Sequence, residues 1–257
     1  MNTMTRTGTA PAPASAWRQA LRPYRAELVA ELRRAWRTPA FAVPSLLFPV
    51  LFYLLFGVLL GRGHAPLYLL ATYCVFGAMA PALFGFGVQL ALDREGGLLT
   101  LKRALPMPPA APLLARLAMA MLFALLVASL LIGVASVLGG VQLHALQVLA
   151  VAGLAALPLG AIGLLIGSHV SASAAPAMVN LVYLPLALLS GLWLPLSALP
   201  KVFSTMAPLW PTWHLAQLAL PVVGLPSVGS MAGHLLVLLL VTFVALLLAR
   251  RRLRRIG

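Results

Sequence analysis

Few side chains in this 257-residue chain can do chemistry, and they are unevenly placed. The densest group is Asp93-Arg94-Glu95-Gly96-Gly97, followed closely by Lys102-Arg103. It holds half of the four acidic residues of the chain. Carboxylates and cations alternating this tightly suit polar recognition better than acid–base catalysis. The spacing predicts a short helix over 97–104, stopped by Pro106, with Leu98, Leu101 and Leu105 on one apolar face beside Lys102 and Arg103. Such an element can dock into a groove on a soluble partner. The alternative is a solvated connector whose charges only fix topology, and spacing alone does not separate the two.

The other reactive residues are dispersed. The five histidines (His64, His144, His169, His214, His234) fall in different segments and read as loop or interface residues, not as ligands. The single cysteine, Cys74, lies in an apolar run and reads as a small packed residue. No G-x-x-x-x-G-K-[ST] pattern is present, so the chain is not expected to bind ATP through a P-loop. No G-x-S-x-G, no H-E-x-x-H and no paired catalytic carboxylates occur. The chain therefore reads as a non-enzyme with no catalytic residue and no metal site.

These residues are carried by a strongly apolar chain. Hydrophobic residues make up 62% and charged residues only 9%, with a mean hydropathy of +1.01. An ordinary soluble domain carries about 25% charged residues. A lipid environment removes the need for a charged exterior, so the expected fold is an all-α polytopic membrane protein. A crossing helix needs about 20 apolar residues. Six runs qualify, at about 41–60, 67–92, 113–138, 145–166, 177–196 and 234–249. Pro44 and Pro49 predict a kink near the start of the first. Runs this continuously apolar do not suit the alternating strands of a barrel.

The net charge of +14 reflects topology, not nucleic-acid binding. Sixteen of the eighteen Lys and Arg residues precede the first run, surround the loop from Arg94 to Arg116, or close the chain at Arg250–Arg255. Only Arg62 and Lys201 fall on the other side. The positive-inside rule then places both termini in the cytoplasm and requires an even number of spans. No Asp, Glu, Lys or Arg lies deep in a span, Arg116 being near an end. Ion-coupled carriers keep such groups near the midplane, so the energy for any transport must come from elsewhere.

Three segments are not simple spans. Residues 1–16 are polar and Pro-containing and read as a disordered lead-in, with no apolar stretch that would make a signal peptide. Residues 17–37 place Leu21, Tyr24, Leu28 and Leu32 at helical spacing between Trp17 and Trp36. That pattern fits a helix lying in the headgroup plane; a soluble surface helix is the alternative. Residues 197–232 are rich in Trp and Pro and suggest an interfacial or re-entrant hairpin. Residues 17–257 form a single transmembrane domain in this reading.

Some of these residues carry a family likeness. Asn180 to Pro200 reads NLVYLPLALLSGLWLPLSALP. Its order of Asn180, Tyr183-Leu-Pro185, Ser190-Gly191, Pro195 and Leu199-Pro200 resembles the fifth span and outer loop of ABC-2 type permeases, the membrane subunits of bacterial ABC exporters. Pro211-Thr-Trp-His214 is similar to that family's outer hairpin. Asp93-Arg-Glu-Gly, Leu101-Lys-Arg and Pro106 resemble its E-x-G-T-L…P loop, except that Thr100 follows Leu98-Leu99 instead of preceding a Leu there. Glu31-Leu-Arg-Arg and Arg37-Thr-Pro39 resemble its N-terminal interfacial helix.

The resemblance implies six transmembrane helices, an N-terminal interfacial helix and a re-entrant outer hairpin between helices 5 and 6. It implies that 93–105 is a coupling element touching a separate P-loop ATPase. Glu95, Lys102 and Arg103 are then the polar contacts, and Gly96 and Gly97 the tight turn into the coupling helix. Asn180 and Ser190 are candidates for the dimer interface or translocation route, against a plain role in helix packing. ATP and Mg would be held by the partner, and the chain would pair with itself or with a related permease among membrane lipids. The expected role is the permease subunit of an exporter in a bacterial inner membrane, carrying a drug-like, lipid or glycolipid-type substrate. Two rivals remain: an integral membrane enzyme of lipid metabolism and a secondary carrier.

Overall fold

The computed structural model describes residues 13–105, 107–108, 110–139 and 144–256. Among them the chain is helical, with no strand. Helix α1 spans Pro13–Arg37, and Thr38 separates it from α2, Pro39–Phe52. Residues 1–12 of the expected lead-in lie outside the described residues. Helix α2 runs on into a π-helical stretch, Tyr53–Leu59. Then come α3, Ala65–Glu95; α4, Leu98–Ala104; α5, Ala111–Gly139; and α6, Ala145–His169. The chain ends with α7, Ala175–Leu189; α8, Lys201–Met206; α9, Pro211–Ala219; and α10, Met231–Ile256.

Among the described residues, five helical segments are long and apolar enough to cross a membrane: Pro39–Leu59, Ala65–Glu95, Ala111–Leu138, Ala145–His169 and Met231–Arg255. One sequence expectation needs correcting. The expected fifth run, 177–196, ends as a helix at Leu189. Ser190 and Gly191 turn the chain, with Gly191 at φ +79°, a conformation that a side chain resists. The apolar residues Leu192–Leu194 mimic a continuing span in sequence but follow the turn. Helix α7 is thus only about 22 Å long at 1.5 Å per residue. The first span is α-helical through Pro44 and Pro49 and becomes π-helical at Tyr53–Leu59. There, Gly57 lies against the Tyr53 ring so closely that a Cβ would stand 2.7 Å from it.

Helix α3 is the axis of the bundle. Its most apolar stretch is 78% buried, against 22% for the first span and 17% for the last. The outer helices instead show apolar side chains such as Leu47, Phe48, Leu239 and Phe243 to their surroundings, as a lipid-facing rim requires. Close approach of α3 and α6 needs small residues. A Cβ on Gly167 would lie 2.2 Å from the Gly87 carbonyl oxygen, and one on Gly163 2.8 Å from that of Leu83. Small side chains allow this backbone contact in membrane bundles.

The two ends of the bundle differ. One, the basic end, gathers α1, α4, the start of α5 and the ends of α6 and α10. Leu253 of α10 shares a cavity of about 420 Å³ there with Leu90, Leu99, Lys102 and Arg116. The opposite end gathers the start of α3, the turn after α7, and α9. The Tyr68 hydroxyl donates to the Gly191 carbonyl at 2.8 Å, and that of Tyr73 to the Trp193 carbonyl at 3.2 Å. Helix α9 begins at Pro211, where a missing N–H costs nothing. It is buried from Thr212 to Ala219, against α3, α6, α7 and α10.

Candidate coupling site

At 31 residues, α3 is about 47 Å long, more than the roughly 30 Å of a hydrocarbon core. Its last turns therefore reach past the apolar layer and bring Asp93, Arg94 and Glu95 to the basic end. Gly96 ends the helix, and Gly97 reverses the chain at φ +73° into α4. The glycine pair thus sets the angle between the two helices.

All four carboxylates of the chain have cationic partners at this end. Arg116, 5% exposed, donates from Nε to Glu31 Oε1 at 3.3 Å and from Nη2 to Asp93 Oδ2. Arg34 donates to the same two carboxylates, at 3.3 Å to Glu31 and 3.5 Å to Asp93. Two guanidiniums and two carboxylates thus join α1, α3 and α5 with no net charge. Removing one member of a buried set of this kind is strongly destabilising. A second link ties α4 to α1: Lys102 Nζ lies 2.6 Å from Glu27 Oε2, with both side chains mostly buried. Glu27 and Glu31, one helical turn apart, therefore point at two different elements.

Arg94 performs a third task. Its guanidinium donates to the carbonyls of Ser168 at 2.7 Å, Gly167 at 3.3 Å and Val170 at 2.6 Å. These are carbonyls at the C-terminus of α6, where backbone acceptors lack helical partners and a cation is favoured. Glu95 is left at 3.8 Å from Arg94 with its own side chain 47% exposed.

The expected site residues divide accordingly. Glu95, Gly96 and Gly97 are exposed, as are Leu101 on α4, at 60%, and Leu105 just after it, at 50%. Lys102 points the other way, into its pair with Glu27. The side chain of Arg103 and all of Pro106 lie outside the described residues. Asn180 and Ser190 are not brought together. Asn180 is exposed on α7, and its side chain makes no hydrogen bond among the described residues. Ser190 is buried and donates to the Leu186 carbonyl of its own helix. Glu27, Glu31, Arg34, Asp93, Arg94 and Arg116 are not among the site residues expected from the sequence, although Asp93, Arg94, Glu31 and Arg34 lie in motifs singled out there. One signal was available: all four acids fall in two short segments, 27–31 and 93–95, amid an excess of cations.

This arrangement is a short exposed helix on a charge-locked base. Residues 24–223 match the family model described as ABC-2 type transporter. The chain belongs to the ABC-2 type transporter family. The ABC-2 match takes in the α4 junction, α7 and α9. A protein of Bacillus subtilis (strain 168) named "Putative transport permease YvfS" is 25% identical over 199 residues, covering 74% of this chain and 80% of that protein. The ABC-2 chain is thus a multi-pass membrane protein and the membrane subunit of a transporter, and members of its family normally work with an ATP-binding subunit.

Proposed function

We propose that the chain is the permease subunit of an ATP-driven exporter, that α4 is its docking helix for a separate P-loop ATPase, and that ATP and Mg are bound there. The observation that carries this reading is the split character of α4. Lys102 and the Gly96-Gly97 turn hold its inner side to α1 and α3, while Glu95, Leu101 and Leu105 remain open beyond it. A solvated connector would need no such anchorage. Movement of α4 would reach α1 through Lys102–Glu27, and α5 through the charge cluster on Asp93.

Six crossings, with α7 as the fifth, agree with the shared cavity that puts Leu253 beside Lys102 and Arg116: both chain ends then lie on one side. The positive-inside rule makes that side the cytoplasm of a bacterial inner membrane. Helix α1 would lie along the headgroups, with Leu28 and Leu32 exposed. The segment from Leu196 to Val223 would be a re-entrant hairpin, α9 being its buried arm.

A cleft of about 230 Å³ between α2, α3 and α7 is lined by Phe41, Phe48, Phe76, Phe84 and Tyr183. It suits an amphiphile of drug-like, lipid or glycolipid type. Asn180 on the exposed face of α7 would find its hydrogen-bond partner in a second permease copy or a related chain. No observation favours a lipid-metabolising enzyme, since the carboxylates are held in ion pairs. Co-purification with the P-loop ATPase of a neighbouring reading frame, and substrate export that depends on ATP, tests the proposal. A chain that transports without nucleotide would overturn it.

A further inference from the structure

The end of the bundle opposite the coupling site holds two imidazoles that play no part in that function. His214 lies on α9 and His234 on α10, and they are 7% and 5% exposed. Their Nδ1 atoms are 2.8 Å apart. The far nitrogen of each ring meets a backbone carbonyl: His214 Nε2 to Pro208 at 3.0 Å, and His234 Nε2 to Val228 at 2.8 Å. A carbonyl only accepts, so both Nε2 atoms carry hydrogen. The Nδ1 contact then needs one hydrogen more, because two lone pairs facing each other at that distance repel. Three protons on four nitrogens is one more than two neutral imidazoles hold.

We propose that His214 and His234 bind a single shared proton, and that this proton latches the hairpin segment onto the last span. Each of the three bonds closes a different joint. Pro208 belongs to the turn before α9, Val228 to the loop before α10, and the Nδ1 bond joins the two helices. The Trp213 ring packs edge-on against both imidazoles, with centroids 5.0 Å and 5.4 Å away. Gln217 accepts from the Val228 N–H at 2.8 Å and so fixes the same loop. Among the described residues no third His, Cys, Asp or Glu joins the pair as a metal site would require.

The surroundings do not supply the charge. Helix α3 turns Tyr68 and Tyr73 toward this end, but their hydroxyls are bonded to Gly191 and Trp193. Helix α6 contributes the exposed His144 at its start, α7 contributes Tyr183, and α8 contributes Lys201. None of these bonds to either ring. On α10 the next ionisable group after His234 is Arg250, four turns away. The four carboxylates are all at the basic end. The shared proton is therefore the local source of positive charge on the pair.

The latch has two pH limits. Raising the pH removes the shared proton. One ring must then give up its carbonyl bond, or the Nδ1 atoms must part. Lowering the pH adds a second proton, which sets two N–H groups against each other. Burial, chiefly, and the neighbouring His234 lower the proton affinity of His214, while its Pro208 bond works against them. A depressed affinity in the closed form means that His214 takes up a proton more readily in the open form, so closure is lost as pH falls.

The test uses the full chain in lipid nanodiscs with ¹⁵N-labelled histidine. The triple variant H64Q/H144Q/H169Q removes three exposed histidines and leaves only the pair. Ring ¹⁵N spectra between about pH 5 and about pH 8 should show three protonated nitrogens out of four, with one proton shared between two nitrogens. Two protons across that whole range, or four, would overturn the proposal. Hydrogen exchange of segments 208–217 and 226–234, corrected for intrinsic rates, should be slowest at intermediate pH and faster on both sides. In H214Q and H234Q that maximum should vanish. Exchange in the parent chain that ignores pH would refute the latch even if the shared proton exists.

Discussion

The two ends of this molecule meet the same demand with different chemistry. At the basic end, α1 and α4 are held by ion pairs, with Arg116, Asp93, Glu31 and Arg34 forming a neutral cluster and Lys102 bonded to Glu27. At the opposite end, the turn after α7 and the buried α9 are held by tyrosine, threonine and histidine side chains bonded to backbone carbonyls. At the basic end the remaining arginines of α1 and α10 are exposed, so charge is tolerable there. The opposite end places its chain against the apolar bundle and relies on weaker neutral bonds, apart from the shared imidazole proton. The difference teaches that loss of one group should be costly at the first end and mild at the second.

Replacing Arg116 with Leu should have the largest effect. It leaves Asp93 and Glu31 sharing Arg34 alone. A broken buried pair costs on the order of 3–5 kcal/mol, read as a fall in thermal unfolding temperature in detergent. Adding Asp93→Asn should recover part of that loss by removing the stranded charge. Arg94→Gln should come next, at about 1.5–3 kcal/mol for a charged donor. Hydrogen exchange should rise at 165–175 and not elsewhere.

Lys102→Gln, again at the basic end, should cost more than Tyr68→Phe, because it leaves the mostly buried Glu27 without its partner. Its effect should also appear as weaker stimulation of the partner's ATP hydrolysis, since it frees α4 from α1 without unfolding the bundle. Tyr68→Phe probes the neutral end and should cost about 0.5–1.5 kcal/mol, seen as faster exchange around Gly191. A loss as large as that of Arg116→Leu would erase the contrast between the ends.

Much of this fold is legible in the sequence because lipid imposes length. The runs at 113–138 and 145–166 lie within a few residues of α5 and α6. The run at 177–196 does not match α7, because Leu192–Leu194 is as apolar as the helix before it. Only the backbone at Gly191 shows the turn. Helix α4 is legible for a local reason: Gly97 and Pro106 mark its limits in the sequence. Its anchor is not, because Glu27 precedes Lys102 by 75 residues, and no periodicity reports a contact of that range. The histidine pair escapes for the same reason. His214 and His234 belong to segments with different patterns, and only the packing of α9 on α10 joins them.

The central claim is that the exposed face of α4 meets an ATP-hydrolysing partner. Site-directed cross-linking tests it most directly. In a Cys74→Ala background, a thiol introduced by Leu101→Cys should cross-link to the ATPase subunit co-expressed from the neighbouring reading frame, and the yield should change when nucleotide is added. A complex that purifies intact and hydrolyses ATP, yet gives no cross-link from that position, would contradict the account.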